Sequence, residues 1–134
     1  MTRRLHNERG AVSTFLAVLA LALLAAAGLV VDGGRKVNTL REASNLADNA
    51  ARAGAQAIDL DTLRTDGTVR LLPGAAEQEA RDYLTELGHA ASEVTVADDT
   101  ITVTVELTVD PVLLPTGPIT VTATETAAAI TEEP

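Results

Sequence analysis

The segment RGAVSTFLAVLALALLAAAGLVVDGGRK (residues 9–36) decides the fold of this chain. Between a basic flank and Asp32, residues 11–31 contain no charged residue and no proline. An α-helix of that length rises about 31 Å, close to the thickness of a bilayer's hydrocarbon core. The alternative is a buried helix of a soluble core, but a chain of 134 residues offers little material to cover a helix that is apolar all round. The segment therefore predicts a transmembrane helix over residues 11–31.

The charges on the two sides of this segment differ. Residues 1–10 form a basic flank with three arginines and one glutamate. Because positively charged flanks stay in the cytoplasm, we expect a single-pass protein of the cell membrane with its N-terminus inside and its C-terminal part outside. Beyond Val31 there are 18 of the 19 acidic residues and seven Lys and Arg, which gives that part a formal charge of −11. So acidic a surface predicts no nucleic acid partner.

The apolar segment is compatible with an anchor or with a cleaved signal. Ala25, Ala26 and Ala27 before Gly28 are the small residues that signal peptidase prefers. Against cleavage, the apolar run continues through Val31, and helical periodicity resumes after it. This continuity of the helical pattern favours retention of the segment as a membrane anchor over its cleavage. The alternative is a small extracellular binding domain, secreted or tethered, that the same segment releases or holds.

An alanine-rich helical stem is predicted over residues 32–58. Its heptad positions are Val37, Leu40, Ser44, Ala47, Ala51, Gly54 and Ile58. Small side chains let backbones approach closely, so this face predicts a helix-packing interface, either with a helix of another subunit or with the chain's own head. Gly33 and Gly34 together lower helix propensity by about 2 kcal/mol, which predicts a kink or break where the chain leaves the membrane.

Residues 59–134 are predicted to form a small extracytoplasmic head. Residues 59–66 are turn-rich, and residues 68–72 have the composition of a short strand. Residues 75–87 carry apolar side chains on one helical face.

Alternating apolar and polar residues predict the strands of the head. They occur at Val94 and Val96, over 101–109 and over 119–127, with a tight turn at Asp98-Asp99 and a proline-bounded loop at 110–118. The predicted fold class is α+β, with an N-terminal transmembrane helix that continues into the stem and a head of one helix and an antiparallel sheet of three to four strands.

Catalytic and metal-binding patterns are absent from the sequence. Cysteine is missing, which excludes disulfides and thiolate sites. The few serines and two histidines form no nucleophile elbow, Walker loop or metal-binding pair. Asp59, Asp61 and Asp66 lack the EF-hand spacing, which favours a solvated turn over a calcium site. The sequence therefore predicts no enzyme, no cofactor, no metal and no small-molecule substrate.

The motifs of the first 60 residues resemble those of the TadE/TadG-like proteins of the tight-adherence (Flp) pilus assembly system, in particular the short actinobacterial type. In that family a basic residue and glycine precede the membrane helix, a Val-Asp-x-Gly step ends it, and an alanine-rich helix follows. The matching residues here are Arg9-Gly10, Val31-Asp32, Gly34, Ala47-Asp48 and Ala53-Gly54-Ala55.

This resemblance implies a non-catalytic, pseudopilin-like or accessory component of a Tad pilus or secretion assembly. Its implied partners are the membrane and other Tad or pilin-like subunits, or further copies of itself, through helix packing. Gly10 and Ala11 flank the bond that a prepilin peptidase would cut, and Phe15 stands where such prepilins usually place glutamate.

Overall fold

The computed structural model describes residues 8–129, so most of the predicted cytoplasmic flank, residues 1–7, lies outside the described residues. Three helices precede three strands: α1 Glu8–Gly54, α2 Leu60–Asp66, α3 Pro73–Glu86, β1 Ala91–Ala97, β2 Thr100–Val109 and β3 Ile119–Ala128. The strands form one antiparallel sheet in the order β1-β2-β3. The predicted α+β class is confirmed, with three strands in the described sheet.

Helix α1 joins the predicted membrane segment to the stem without interruption. It contains 47 residues, which corresponds to a length of about 70 Å. The predicted break at Gly33 and Gly34 does not occur, because both glycines remain in the helix. Helical residues on both sides propagate the hydrogen-bonding pattern across the two glycines, so the helix tolerates their lower propensity.

The C-terminal half of α1 is part of the core of the head. This half and α3 pack on one face of the sheet, and the largest fully buried side chains there are Leu84, Ile101, Val103 and Val105. The buried side chains that α1 contributes to this core are all alanines, and Leu46 packs against it as a partly buried residue. The alanines are Ala43, Ala47, Ala50 and Ala51. The predicted boundary between a stem ending at residue 58 and a head beginning at 59 therefore divides one continuous core.

The sheet has one buried and one threonine-rich face, as the alternation predicts. On β2, Val103 and Val105 are fully buried, while Thr102 and Thr104 point to the other face. There their hydroxyls form hydrogen bonds with threonine hydroxyls of β3, Thr102 with Thr126 at 2.8 Å and Thr104 with Thr124 at 2.9 Å. The register of β2 is therefore fixed by burial on one face and by hydroxyl pairs on the other.

The segment between α1 and α3 differs from the prediction. Residues 59–66 were predicted to be a turn, but Asp59 caps the short helix α2 by accepting the backbone N–H groups of Asp61 and Thr62, both at 3.1 Å. The Thr62 hydroxyl also donates to Asp59 at 2.7 Å, and this bond is the main cause of the lowered pKa of Asp59. The predicted strand at 68–72 is reduced to an isolated bridge between Leu71 and Ile58.

Helix α3 and the hairpin turn agree with the prediction. Proline occupies the first position of α3, where its missing N–H has no helical partner to lose. Gly88 follows this helix with φ 78°, a left-handed conformation that glycine adopts without strain. Asp98 turns the hairpin with φ 52°, a conformation that aspartate tolerates better than most residues.

Candidate assembly face and the Asp32 contact

The N-terminal half of α1 presents an exposed apolar surface. Its most apolar window has a mean hydropathy of 2.7 and is 6% buried. Among residues 8–129 it is the single helix that is long and apolar enough to span a membrane, judged by length and composition. Export signals near an N-terminus share these properties. An apolar surface of this extent indicates contact with lipid or with another protein.

The predicted helix-packing residues separate into two groups. Ala47 and Ala51 are fully buried and Gly54 is buried, all against the chain's own head, while Ser44 and Ile58 are half-buried. Val37 and Leu40, nearer the membrane segment, are 49% and 43% exposed. The head thus covers the lower part of this face, from Ser44 to Ile58. Packing against another subunit stays a prediction for the upper part, Val37 and Leu40, which is nearer the membrane segment.

Gly54 shows why small residues are needed in the lower part of the face. A Cβ atom at this position would lie 2.6 Å from the carbonyl oxygen of Ala76 and in collision with the side chain of Ile101. Ten residues earlier, the Ser44 hydroxyl donates to a carboxylate oxygen of Glu125 on β3. The small side chains therefore permit close approach of α1 to α3 and the sheet. The large residues of the sheet and α3 supply the apolar area that the alanines lack.

Asp32 makes a contact that was not predicted from the sequence. It follows the apolar run, and its carboxylate accepts three successive backbone N–H groups of the loop between β2 and β3. Oδ1 accepts from Val112 at 2.8 Å, and Oδ2 accepts from Leu113 at 3.1 Å and Leu114 at 2.8 Å. The residue is 8% exposed. One carboxylate thus connects the end of the apolar segment to a loop about 80 residues away in sequence.

These hydrogen bonds set the charge state of Asp32. The bond from Val112 is the largest influence and lowers the pKa of Asp32. Burial acts in the opposite direction, but the bonds from Leu114 and Leu113 and the positive charge of Arg35 add to the lowering, so the pKa lies below its ordinary value of 3.8. Asp32 is therefore an ionised acceptor at neutral pH.

Gly28 lies one helical turn before Asp32 and faces the same loop. A Cβ atom at Gly28 would lie 3.3 Å from the Cβ atom of Leu113 and 3.7 Å from a methyl carbon of Leu114. Contacts of 3.3 Å are tight for aliphatic carbons. The absence of a side chain at residue 28 thus lets the loop lie directly on the helix.

The sequence carries partial signals of this contact. The loop, Asp110–Pro118, was predicted from its prolines, and Asp32 was recognised as part of a motif that ends the apolar run. Nothing in the local sequence connects the two. Arg35 and Lys36 are the charged residues that the sequence places near Asp32, and they give no indication that its carboxylate accepts the N–H groups of a distant loop.

The two residues of the predicted processing site lie in the first turns of α1. Gly10 and Ala11 are exposed. The carbonyl oxygen of Gly10 accepts the hydroxyl of Thr14 at 2.8 Å. Cleavage between them stays a prediction.

Comparison with known proteins gives one match. Residues 10–57 match the family described as "Putative Flp pilus-assembly TadE/G-like". The matched part contains the apolar segment, Asp32 and the alanine-rich half of α1, and it confirms the resemblance found in the motifs. No curated protein and no solved structure matches the chain.

Proposed function

We propose that this chain, whose residues 10–57 match the TadE/G-like family, is a non-catalytic, membrane-anchored, pseudopilin-like or accessory component of a Tad (Flp) pilus or secretion assembly. The observation that carries the proposal is the family match, since it covers α1 from Gly10 to its end and so includes both the apolar segment and the part of α1 in the core of the head. A role in Tad/Flp pilus assembly follows from the family. Anchoring and packing are our extension of it.

The anchor in this proposal is residues 11–31. Their side chains are exposed over the length of a bilayer core, and Asp32, Arg35 and Lys36 follow at the boundary. The basic residues before the segment favour a cytoplasmic N-terminus and an extracytoplasmic head. Retention of the segment is supported by α1, which continues from the apolar residues into the core of the head.

The surface proposed for other subunits is the apolar face of α1 that the head leaves open. It comprises the apolar segment and, beyond it, Val37 and Leu40. The partner is a helix of another Tad or pilin-like subunit, or of a second copy of this chain. Val37 and Leu40 lie six and nine residues beyond Val31 in the same helix, so they extend the packing of a membrane helix by about two and a half turns.

Cysteine crosslinking tests this packing in a chain that contains no cysteine. In membranes of cells that express the complete assembly, Val37→Cys and Leu40→Cys should give disulfide-linked homodimers or adducts with another subunit. Ala47→Cys is the buried control, because the chain's own head covers it. Asn45→Cys is the exposed control outside the apolar heptad positions.

The crosslinking yields distinguish a specific helix partner from random encounters and from the absence of packing. Crosslinks at Val37 and Leu40 that exceed those at Asn45 support a specific helix partner. Equal yields at all three positions indicate random encounters, and absence of adducts at both apolar positions contradicts the packing proposal. Strong crosslinking at Ala47 would show that the head does not cover the lower face as described.

A further inference from the structure

We infer that the apolar tip of the β2–β3 loop, residues 111–115 (PVLLP), is a second membrane contact that inserts into the hydrocarbon at the outer boundary of the bilayer. The inference rests on the proposed placement of residues 11–31 in the membrane. Its occupant is lipid acyl chain, not a headgroup charge, because the part of the chain beyond residue 31 carries a formal charge of −11 and would be repelled by anionic lipid.

Every backbone N–H group of the apolar tip has a hydrogen-bond acceptor. Pro111 and Pro115 have no N–H group. The three residues between them each donate their N–H to the carboxylate of Asp32. A non-helical backbone is excluded from hydrocarbon mainly by unpaired polar groups, and here one side chain satisfies every donor of the tip. The carbonyl groups of a segment at the boundary remain within reach of interfacial water.

The tip contacts α1 within the apolar run and not beyond its end. Leu113 contacts the helix at Gly28, three residues before the apolar run ends at Val31. With a rise of 1.5 Å per residue, this places Leu113 about 4.5 Å inside the end of the membrane segment. If residues 11–31 lie in the bilayer, the tip is at the depth of the outermost acyl carbons.

The tip exposes large apolar side chains. Val112 and Leu113 are 60% and 55% exposed. Leu24 and Val31, which helical spacing places on the same side of α1 as Gly28, are 70% and 47% exposed. Leu114 is the half-buried member that faces Gly28. The loop therefore widens the apolar surface of α1 at the level where the head begins, and this surface continues that of the membrane segment.

Tryptophan quenching tests the inference, because the chain contains no tryptophan. The full chain carrying Leu113→Trp, and separately Val112→Trp, is placed in phosphatidylcholine vesicles whose acyl chains are brominated either near the glycerol or near the methyl end. Both variants should be quenched strongly, and more by the shallow bromines than by the deep ones. The second position provides the result if the first substitution disturbs the loop.

Two control positions calibrate the dependence of quenching on depth in the bilayer. Leu21→Trp lies at the middle of residues 11–31 and should be quenched most by the deep bromines. Thr95→Trp lies on an exposed position of β1 that pairs with Thr102, about 23 Å along the sheet from Val109, where the loop begins. It should be quenched several-fold less than Leu113→Trp.

The outcomes distinguish this inference from the proposed function. Quenching at Leu21 without quenching at residues 112 and 113 overturns the loop insertion and leaves the anchor intact. No quenching at Leu21 contradicts the anchor itself. Adding Asp32→Ala to Leu113→Trp should reduce the shallow quenching, because the backbone N–H groups lose their acceptor. Unchanged quenching in that double variant would overturn the role of Asp32 in holding the tip.

Discussion

Gly54→Ala should destabilise the head by about 1–3 kcal/mol, the usual cost of overpacking a core. The added methyl group would lie 2.6 Å from the carbonyl oxygen of Ala76 and would collide with Ile101. The carbonyl belongs to the backbone of α3, so the clash is relieved only if α3 moves away from α1. Alanine gains about 1 kcal/mol of helix propensity over glycine, but the displacement of α3 outweighs this gain. The change in the free energy of unfolding is measured by urea unfolding of the full chain in detergent micelles, with proteolysis of the unfolded head as the readout.

Gly33→Ala is the matched control for this prediction. It makes the same substitution in the same helix, but a Cβ atom at Gly33 would have no neighbour within 4 Å. Only the propensity gain applies there, so the urea midpoint should stay the same or rise. If Gly54→Ala and Gly33→Ala behave alike, the close packing of α1 on α3 is wrong, and the small residues of α1 are free to pack elsewhere.

Val103→Asp should abolish the folded head. Val103 is fully buried at the centre of β2 between α1 and the neighbouring strands. A carboxylate there would have no partner, and burial of such a group is unfavourable by several kcal/mol, whether it stays charged or takes up a proton. A domain of this size has a total stability of about 5–15 kcal/mol. We expect the loss of cooperative unfolding of the full chain and rapid proteolysis of the head in membranes.

Thr108→Asp provides the control on the same strand. Thr108 is exposed on the opposite face, so a carboxylate there remains in water and the urea midpoint should change little. A head that tolerates aspartate at residue 103 as well as at 108 would mean that β2 turns its other face to α1.

The parts of the fold that follow from local periodicity were predictable. The strict alternation of β2 fixes which side chains face the core, and the spacing of Ala76, Ala80 and Leu84 defines the buried face of α3. For α1 the same pattern allowed two partners, since small residues at heptad positions suit a helix of another chain or the sheet of this one. In the structure Ala47 and Ala51 belong to the same buried core as residues of α3, β2 and β3.

Two features of the fold depend on sequence signals that compete with other local signals or that are not local. The helix α2 has an N-cap at Asp59 and a left-handed glycine at Gly67, the start and stop signals of a short helix, but its charged composition favoured a turn. The contact of Asp32 with the proline-bounded loop joins residues about 80 positions apart. Its energetic reason, three backbone donors in need of an acceptor, appears only after the fold brings them together.

The mass of the mature protein, measured in the membrane and soluble fractions of cells that express the assembly, tests the account most directly. In this account α1 is at once the anchor and part of the head's core, so it must stay whole. We predict a membrane-bound chain that begins at Met1 or Thr2, or at Ala11 if the pseudopilin processing site is used. A chain that begins near Gly28 and is found in the soluble or secreted fraction would contradict the account and identify the head as a released domain.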